Sequence, residues 1–273
     1  MDTAIRFIQK IFNSESDRFP GAQPVSIERR HFPILKKQEY LISEKTDGVR
    51  YFLLSMNNSV GIINRANKYE KVVIRLPSDT LLDGELVKLE NGKMCFLIFD
   101  AMLVKGLNVM HEKYETRLEH AQKLIQKIIK TSAATFELRV KKLFKFGTKV
   151  IFPKFDYETD GIILTPNNEP VRYGTHETQF KWKPLDRITV DFLIKCGNTL
   201  FVQDQGRLFQ EGELLLNNKR LDIENDSIVE CEYGKLGWHV VKIRTDKTHP
   251  NNRRTYSRTM INLREKITLE EIM

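Results

Sequence analysis

The stretch EKTDGVRYFLL, Glu44 to Leu54, sets a lysine, an aspartate, a glycine and an arginine against an apolar run. Lys45 follows a run that reads as a strand and precedes a glycine turn, so its amine can project into a cleft. Among cationic neighbours such an amine gives up its proton more readily and becomes a nucleophile. Asp47 then suits orientation rather than substrate binding. Alone the pattern is weak, because most lysine-x-aspartate-glycine matches are β-turns. It has company. Asp83-Gly84-Glu85 and Phe99-Asp100 end β-rich runs, and Thr159-Asp160-Gly161 opens another. Carboxylates at strand ends around one cleft supply the hard oxygen ligands that hold Mg²⁺ against phosphates. Lys181 and Lys183 in FKWKP alternate, so on a strand both face one way and can bracket a phosphate. The plainer reading of that pair is a solvent-facing edge. By composition, Arg244, Asp246 and Lys247 in RTDKTHPNNR read as a surface turn.

Positioning these groups requires a β-rich scaffold. From Tyr40 the chain offers short strand-like runs: YLIS, YFLLS, VGIIN, KVVIRL, TLLDGELVKL and MCFLIFDAMLV. Asn, Asp and Gly between them predict antiparallel pairing, with a hairpin at Asn91-Gly92. Before them, MDTAIRFIQKIF predicts an amphipathic helix with Ala4, Ile5, Ile8, Ile11 and Phe12 on one face. Asp2 and the lack of a cleavage pattern favour a packed helix over a transit peptide. FPGAQPVSIERR, Phe19 to Arg30, reads as a loop around Pro20, Gly21 and Pro24. ETRLEHAQKLIQKIIK, Glu115 to Lys130, predicts a helix with Leu118, Ala121, Leu124, Ile125, Ile128 and Ile129 on its apolar stripe. Strands resume in ELRVKKLFKF, DGIILTP, QFKWKP and ITVDFLIKC. From Thr189 to Ile243 short strands with turn signals, Asn217 and Asn218 among them, describe a small barrel. TMINLREKITLEEIM predicts a final helix.

Composition bounds the partners. The 273 residues suit one large or two unequal domains, and 41% hydrophobic content with 16 Phe supplies a core. The 44 basic against 36 acidic residues leave a net charge of +8, which points to a polyanionic partner through counterion release. Three separated cysteines exclude a disulfide framework and a zinc site and suit a reducing compartment. No stretch approaches ~20 apolar residues, so no membrane span is expected. An intracellular, non-secreted monomer is the expectation.

In order, Lys45-Thr-Asp47-Gly48-x-Arg50, Asp83-Gly84-Glu85, Phe99-Asp100, Thr-Asp160-Gly161, Lys181-Trp-Lys183-Pro and Arg244-x-Asp246-Lys247 resemble the six motifs of the covalent nucleotidyltransferases. That superfamily contains the mRNA capping enzymes (RNA guanylyltransferases) and the ATP-dependent ligases. GAQPVSIERR, FKWKPLDRITVDF and RTDKTHPN are closer to the capping-enzyme versions. The compact length is similar to the single-function enzymes of large DNA viruses, particularly the chlorella-virus type. The resemblance implies an α+β fold: a nucleotidyltransferase domain with antiparallel sheets over 1–186, joined by a C-terminal helix at 260–273, and an OB-fold barrel over 187–259.

It also implies a reaction. Lys45 would attack the α-phosphate of GTP, release pyrophosphate, and pass GMP to the 5′-diphosphate end of RNA, with Mg²⁺ or Mn²⁺ assisting. By matching positions, Lys45, Lys181, Lys183 and Asp160 are the catalytic residues. Glu85 and Arg50 look like ribose and phosphate contacts, Arg65 a further phosphate-side contact, and Phe99 the ring that stacks on guanine. Asp160 resembles the metal-associated carboxylate, with Glu85 a second. Lys141 or its neighbour Lys142 would donate to guanine O6 and N7. Arg244, Asp246 and Lys247 would reach the β and γ phosphates on closure of the cleft. A separate RNA triphosphatase and cap methyltransferase are the implied partners, since 273 residues leave no room for either. An ATP-dependent polynucleotide ligase and a catalytically silent nucleic-acid-binding protein of the same fold are the competing readings.

Overall fold

α1 (Asp2–Phe12) opens the chain and buries Ala4 and Ile8 in a cluster with Phe52, Leu54 and Ile63, as its apolar face predicts. The structure, a computed structural model, describes residues 2–16, 18–128, 134–148, 150–214 and 223–273. Ile129 and Lys130 of the expected long helix, and the turn at Asn217 and Asn218, lie outside the described residues. After α1 come β1 (Gln23–Ser26), α2 (Phe32–Leu35), β2 (Tyr40–Thr46), β3 (Val49–Met56), β4 (Ser59–Asn64), β5 (Tyr69–Lys71), β6 (Thr80–Lys88), β7 (Met94–Val104) and β8 (Leu107–Asn108). They are followed by α3 (Tyr114–Gln126), β9 (Glu137–Val140), β10 (Phe144–Lys145), β11 (Thr159–Pro166) and β12 (Thr175–Trp182).

Two compact units divide the chain, the larger holding the segments up to Val25 and from His31 to Trp182. It contains two sheets. One runs β1-β12-β11-β2-β10, and the other runs β5-β4-β3-β6-β7-β8 with β9 parallel on β7. β3, β6 and β7 are the centre of the second sheet, and their apolar runs read as near-continuous because both faces are covered: Phe52, Leu53 and Leu54 are all fully buried. One face meets α1, and the other meets α3 through Tyr114, Leu118, Ala121 and Leu124.

Three departures from the sequence reading have simple causes. Gln23–Ser26, expected as loop, adds a strand at a sheet edge, where Pro24 is tolerated because its missing N–H faces no partner strand. KVVIRL does not continue as a strand beyond Lys71; Val72, Ile74 and Leu76 pack individually onto the core instead. The final helix begins earlier, at Arg253, capped by the Asn252 side chain on the Arg254 N–H at 2.8 Å, and breaks at Lys266 in the left-handed region.

The smaller unit comprises Ser26–Arg30 and Lys183–Ile272. Its strands are β13 (Thr189–Lys195), β14 (Thr199–Asp204), β15 (Arg207–Glu213), β16 (Ile228–Gly234) and β17 (Gly237–Ile243), followed by α4 (Arg253–Glu265) and α5 (Leu269–Ile272). The sheet order is β15-β14-β13-β16-β17. Ladder pairing does not close this sheet into a barrel among the described residues; its two ends meet in a single parallel bridge, Leu214 to Trp238. A five-stranded OB barrel is partly open in just this way. The division differs from the expected one. α4 belongs with the smaller unit because Tyr256, Met260 and Leu263 complete its core around Phe192 and Trp238. The segment Ser26–Arg30 joins it through Arg29 to Glu271 at 2.7 Å and the Arg29 N–H to Glu265 at 2.7 Å.

Gly48, between β2 and β3, shows why the lysine motif carries a glycine. A Cβ there would meet Val87 Cγ1 at 2.7 Å and the Leu86 carbonyl at 2.9 Å, so β6 passes too close for a side chain. Gly48→Ala is expected to destabilise the larger unit by about 1–3 kcal/mol through forced displacement of β3 from β6. Chemical denaturation checks this; an unchanged midpoint would contradict the steric account.

Candidate active site

Lys45 is the penultimate residue of β2, and its Nζ sits 2.6 Å from Asp160 Oδ1 at the start of β11. The pairing of β11 with β2 shifts register between Thr159 and Ile162, and that irregularity lies at Asp160, beside the lysine. β11 also aligns Ile163 with Ser43 on one side and Lys181 on the other. Partners in register share a face, and Ser43 and Lys45 are two residues apart, so Lys181 faces the same way as Lys45.

Lys141 lies in the break between β9 and β10, where ELRVKKLFKF was expected to run on as strand. It is only 6% exposed, whereas Lys142 is exposed. Its ammonium donates to the Glu44 carbonyl at 3.0 Å and to the Thr46 hydroxyl, and lies 3.8 Å from both the Glu44 and Glu85 carboxylates. Burial pushes its pKa down, Glu85 and Glu44 oppose the shift, and Lys45 adds to it. The residue thereby ties the first sheet, through β2, to Glu85 on β6 of the second.

Phe99 forms the wall between two cations. Arg50 Cζ lies 5.1 Å from its ring centroid and Lys141 Nζ 5.6 Å. The ring is held from behind: Tyr114 donates to the Phe99 carbonyl at 2.9 Å, and Asp100 is gripped by Arg117 at 2.7 and 2.9 Å.

Arg50 is anchored inside the protein. It is 8% exposed and donates to Asp83 through Nε at 2.9 Å and Nη2 at 2.6 Å, with Nη1 on the Ala22 carbonyl at 2.7 Å. Burial disfavours its charge, but the Asp83 carboxylate outweighs this and raises its pKa; burial in turn pushes Asp83 up against the opposing pull of Arg50. Three of its five N–H groups are therefore committed inside the protein. Arg65, past the end of β4, has its pKa lowered by desolvation first and then by the like charge of Arg50, with Asp83 and Glu85 as counter-charges.

The carboxylates expected at strand ends are differently placed. Asp83 and Asp100 lie within β6 and β7 and are each paired to an arginine, leaving Asp160 and Glu85 as the oxygen donors facing Lys45 and Lys141. Among the described residues no group of three acidic, histidine or cysteine side chains could hold a metal alone. One or two carboxylates completed by substrate phosphates is the arrangement Mg²⁺ favours, so the donor set fits.

Lys183 lies beyond the end of β12, before Pro184, and belongs to the smaller unit. Arg244, Asp246 and Lys247 lie in that unit too, and form one cluster rather than a free turn. Arg244 donates to Asp246 twice at 2.8 Å, to Asp191 at 2.9 Å and to Glu230 at 3.2 Å, and Lys247 lies 3.6 Å from Asp191. The hydrogen bonds from Arg244 hold Asp246 well below the usual carboxylate range. Sequence reasoning passed over Glu44, Thr46, Tyr157 and Asp191. Glu44 stood in the quoted motif itself, but nothing in its type or spacing distinguished it from a solvated charge.

A lysine at a strand end beside a carboxylate, a second buried lysine and an aromatic wall define a nucleotidyltransferase of the ligase and capping-enzyme class. Within that class the chain belongs to the mRNA capping enzymes: the family's catalytic-domain model matches residues 3–185 and its C-terminal-domain model residues 176–273. Curated relatives include the mRNA-capping enzyme subunit alpha of Schizosaccharomyces pombe, 31% identical over 69% of this chain and 56% of that one. The corresponding subunit of Yarrowia lipolytica is 28% identical over 89% and 78%, and the Mus musculus mRNA-capping enzyme 28% over 87% and 46%. The chain thus spans about half to three quarters of these proteins. They are fungal and animal, so the viral affinity suggested by compact length stays an expectation. Among solved structures, a mycobacterial DNA ligase D complexed with ATP and MES is similar with a TM-score of 0.47 and 14% identity over 85% of this chain and 97% of that one, too slight a likeness to argue from. No described helix is long and apolar enough to cross a membrane.

Proposed function

We propose that this chain is an RNA guanylyltransferase that forms a lysyl-N-GMP intermediate on Lys45 and passes GMP to the 5′-diphosphate end of RNA. The observation that carries it is Lys45 at the end of β2, 2.6 Å from Asp160, beside the buried Lys141 and the Phe99 ring, in a chain of the capping-enzyme family. The Nζ–Pα bond forms as the bond from Pα to pyrophosphate breaks. In the second step an oxygen of the RNA β-phosphate attacks Pα, the P–N bond breaks, and the lysine amine is regenerated. Both are in-line displacements, for which positioning and charge neutralisation supply most of the acceleration.

Each residue of the site has a task in this scheme. Asp160 orients the amine and is the acceptor at hand for its proton. Lys181, on the same face, neutralises charge at Pα, with Lys183 assigned the same role. Phe99 stacks on guanine, and Lys141 rather than Lys142 donates to guanine O6, since it is the one buried against the ring. Glu85 takes the ribose and Arg65 the phosphate side. Arg50 acts chiefly by holding Asp83 and bracing Phe99. Arg244, Asp246 and Lys247 contact the β and γ phosphates. Asp160, with Glu85, would hold Mg²⁺ or Mn²⁺, which when bound neutralises phosphate charge. The name "subunit alpha" carried by the fungal relatives suggests a second subunit, for which an RNA triphosphatase is the natural candidate, with a cap methyltransferase acting separately.

Incubation with α-labelled GTP and a divalent cation is expected to leave label on the protein after denaturation, discharged by pyrophosphate or by diphosphate-ended RNA, and lost on chelation. Labelling by ATP alone would overturn this reading in favour of a ligase.

A further inference from the structure

Glu44 has no task in that reaction and is 2% exposed, an arrangement that works against stability. Its Oε1 accepts from the Tyr157 hydroxyl at 3.0 Å, and its Oε2 is buried without a hydrogen-bond partner. Its counter-charge is Lys141, 3.8 Å from Oε1 and itself only 6% exposed. Apolar side chains of similar volume often replace such a pair with no loss of stability. A buried pair held this loosely is therefore better explained by what it positions than by what it stabilises.

What it positions is the Lys141 ammonium. A lysine carries three N–H donors on a flexible four-carbon stem, so a single anchor does not aim it. Here one donor goes to the Glu44 carbonyl at 3.0 Å and another to the Thr46 hydroxyl, both on β2. The carboxylates of Glu44 and Glu85, each at 3.8 Å, add attraction from β2 and from β6. With two donors fixed, the direction of the third is set, and the ammonium lies 5.6 Å from the centroid of the Phe99 ring, on which guanine stacks in the reading above. Glu85 is there given to the ribose as well, which leaves Glu44 as the carboxylate with no second duty.

Glu44 is in turn aimed by Tyr157, whose own place is fixed. The Glu90 N–H donates to the Asp156 carbonyl at 2.8 Å and the Asp47 N–H to the Glu158 carbonyl at 3.0 Å, so the residues on both sides of Tyr157 are tied down. Its ring packs on the cluster of Val87, Leu89, Cys95 and Leu97. Burial, and after it the Glu44 carboxylate, push the Tyr157 hydroxyl up, so it stays a donor. A relay runs from a fixed tyrosine through a buried carboxylate to a buried ammonium.

We propose that Glu44, oriented by Tyr157, is a positioning residue for guanine selection, holding the Lys141 ammonium where its third N–H meets the guanine 6-oxo group. The proposal rests on the guanylyltransferase reading. An ammonium offers donors only, so one held in that place also rejects the 6-amino group of adenine, whereas one that swings away does neither.

The probe is 2-aminopurine riboside 5′-triphosphate, which keeps the 2-amino group of GTP, lacks the 6-oxo group, and reports by fluorescence its own binding and its displacement by GTP. With the divalent cation withheld no covalent bond forms, so affinities are read without catalysis. The wild type is expected to bind GTP about tenfold more tightly than the probe, as one hydrogen bond from a charged donor predicts. Glu44→Gln, which keeps the shape and removes the charge, is expected to bring GTP within about twofold of the probe while the probe's own affinity changes by less than about twofold. Tyr157→Phe, which removes one hydroxyl, is expected to weaken GTP alone by about threefold. Lys141→Met is expected to abolish the preference, and Glu44→Gln to change nothing further in that background, because the two act as a unit. Equal weakening of GTP and probe by Glu44→Gln, or effects that add to those of Lys141→Met, would leave Glu44 a structural role only and overturn the proposal. So would a wild type with no preference for GTP. A wild type that shows the preference and the coupling but never labels with GTP supports the positioning and sinks the enzymatic reading instead.

Discussion

A Lys45→Arg protein is expected to form no covalent GMP adduct while folding as the wild type does. Arginine keeps a positive charge within reach of Asp160, so charge neutralisation and the ion pair survive the change. What it lacks is an amine that can shed a proton and offer a lone pair, because a guanidinium stays protonated in proteins. Loss of a covalent nucleophile lowers the first step by at least about 10⁴-fold, well beyond what displacement of a positioning group produces. The lysine side chain is 21% exposed, so its pairing with Asp160 is partly screened and the substitution should alter unfolding free energy by under about 1 kcal/mol. The assay is label retained on the denatured protein, with a urea melt alongside. A labelled Lys45→Arg band would remove Lys45 from the mechanism whatever the melt showed.

Arg50→Ala is expected to have the largest effect on stability. Asp83 is 1% exposed, and Arg50 is the cation that holds it, through two parallel hydrogen bonds. Removing one partner of such a pair leaves a buried carboxylate without its counter-charge, a loss of about 3–5 kcal/mol. The arginine also lies 5.2 Å from the Phe19 ring and 5.1 Å from that of Phe99, so truncation opens a gap between them. The paired replacement Arg50→Met with Asp83→Leu should recover most of the loss, since neither charge then remains buried. The two proteins separate structural from phosphate-binding roles. If Arg50 acts by bracing, the double variant regains stability and much of its affinity for GTP. A single Arg50→Ala protein as stable as the wild type would refute the bracing account.

Much of the larger unit can be read in one dimension because its strands are local in sequence. β3, β4, β6 and β7 are consecutive antiparallel neighbours or nearly so, and the runs YFLLS, VGIIN, TLLDGELVKL and MCFLIFDAMLV announce them. The first sheet is harder. β2 lies over a hundred residues from β11 and β12, and β1 and β10 are short edge pieces; no local pattern specifies that β11 pairs with β2. The same difficulty hid α4's home. Its apolar stripe says that it must pack on something, and only the position of Phe192 and Trp238 decides on what.

By itself the sequence determined the order and type of the chemical groups: a lysine before a glycine turn, carboxylates on later strands, an aromatic beside one of them, and alternating lysines. That order suffices for family membership, because motif spacing survives when packing detail does not. Tertiary structure decided which of those charges are available. Asp83 and Asp100 look equivalent to Asp160 in the sequence, yet burial beside Arg50 and Arg117 makes them braces, while Asp160 meets Lys45. Lys141 and Lys142 are adjacent and identical in type, and only one turns inward. Glu44 carried no signal at all, since an orphaned oxygen is a property of its surroundings. Charge type is local, but desolvation and partner choice depend on which distant strand passes by, and that is set by the fold as a whole.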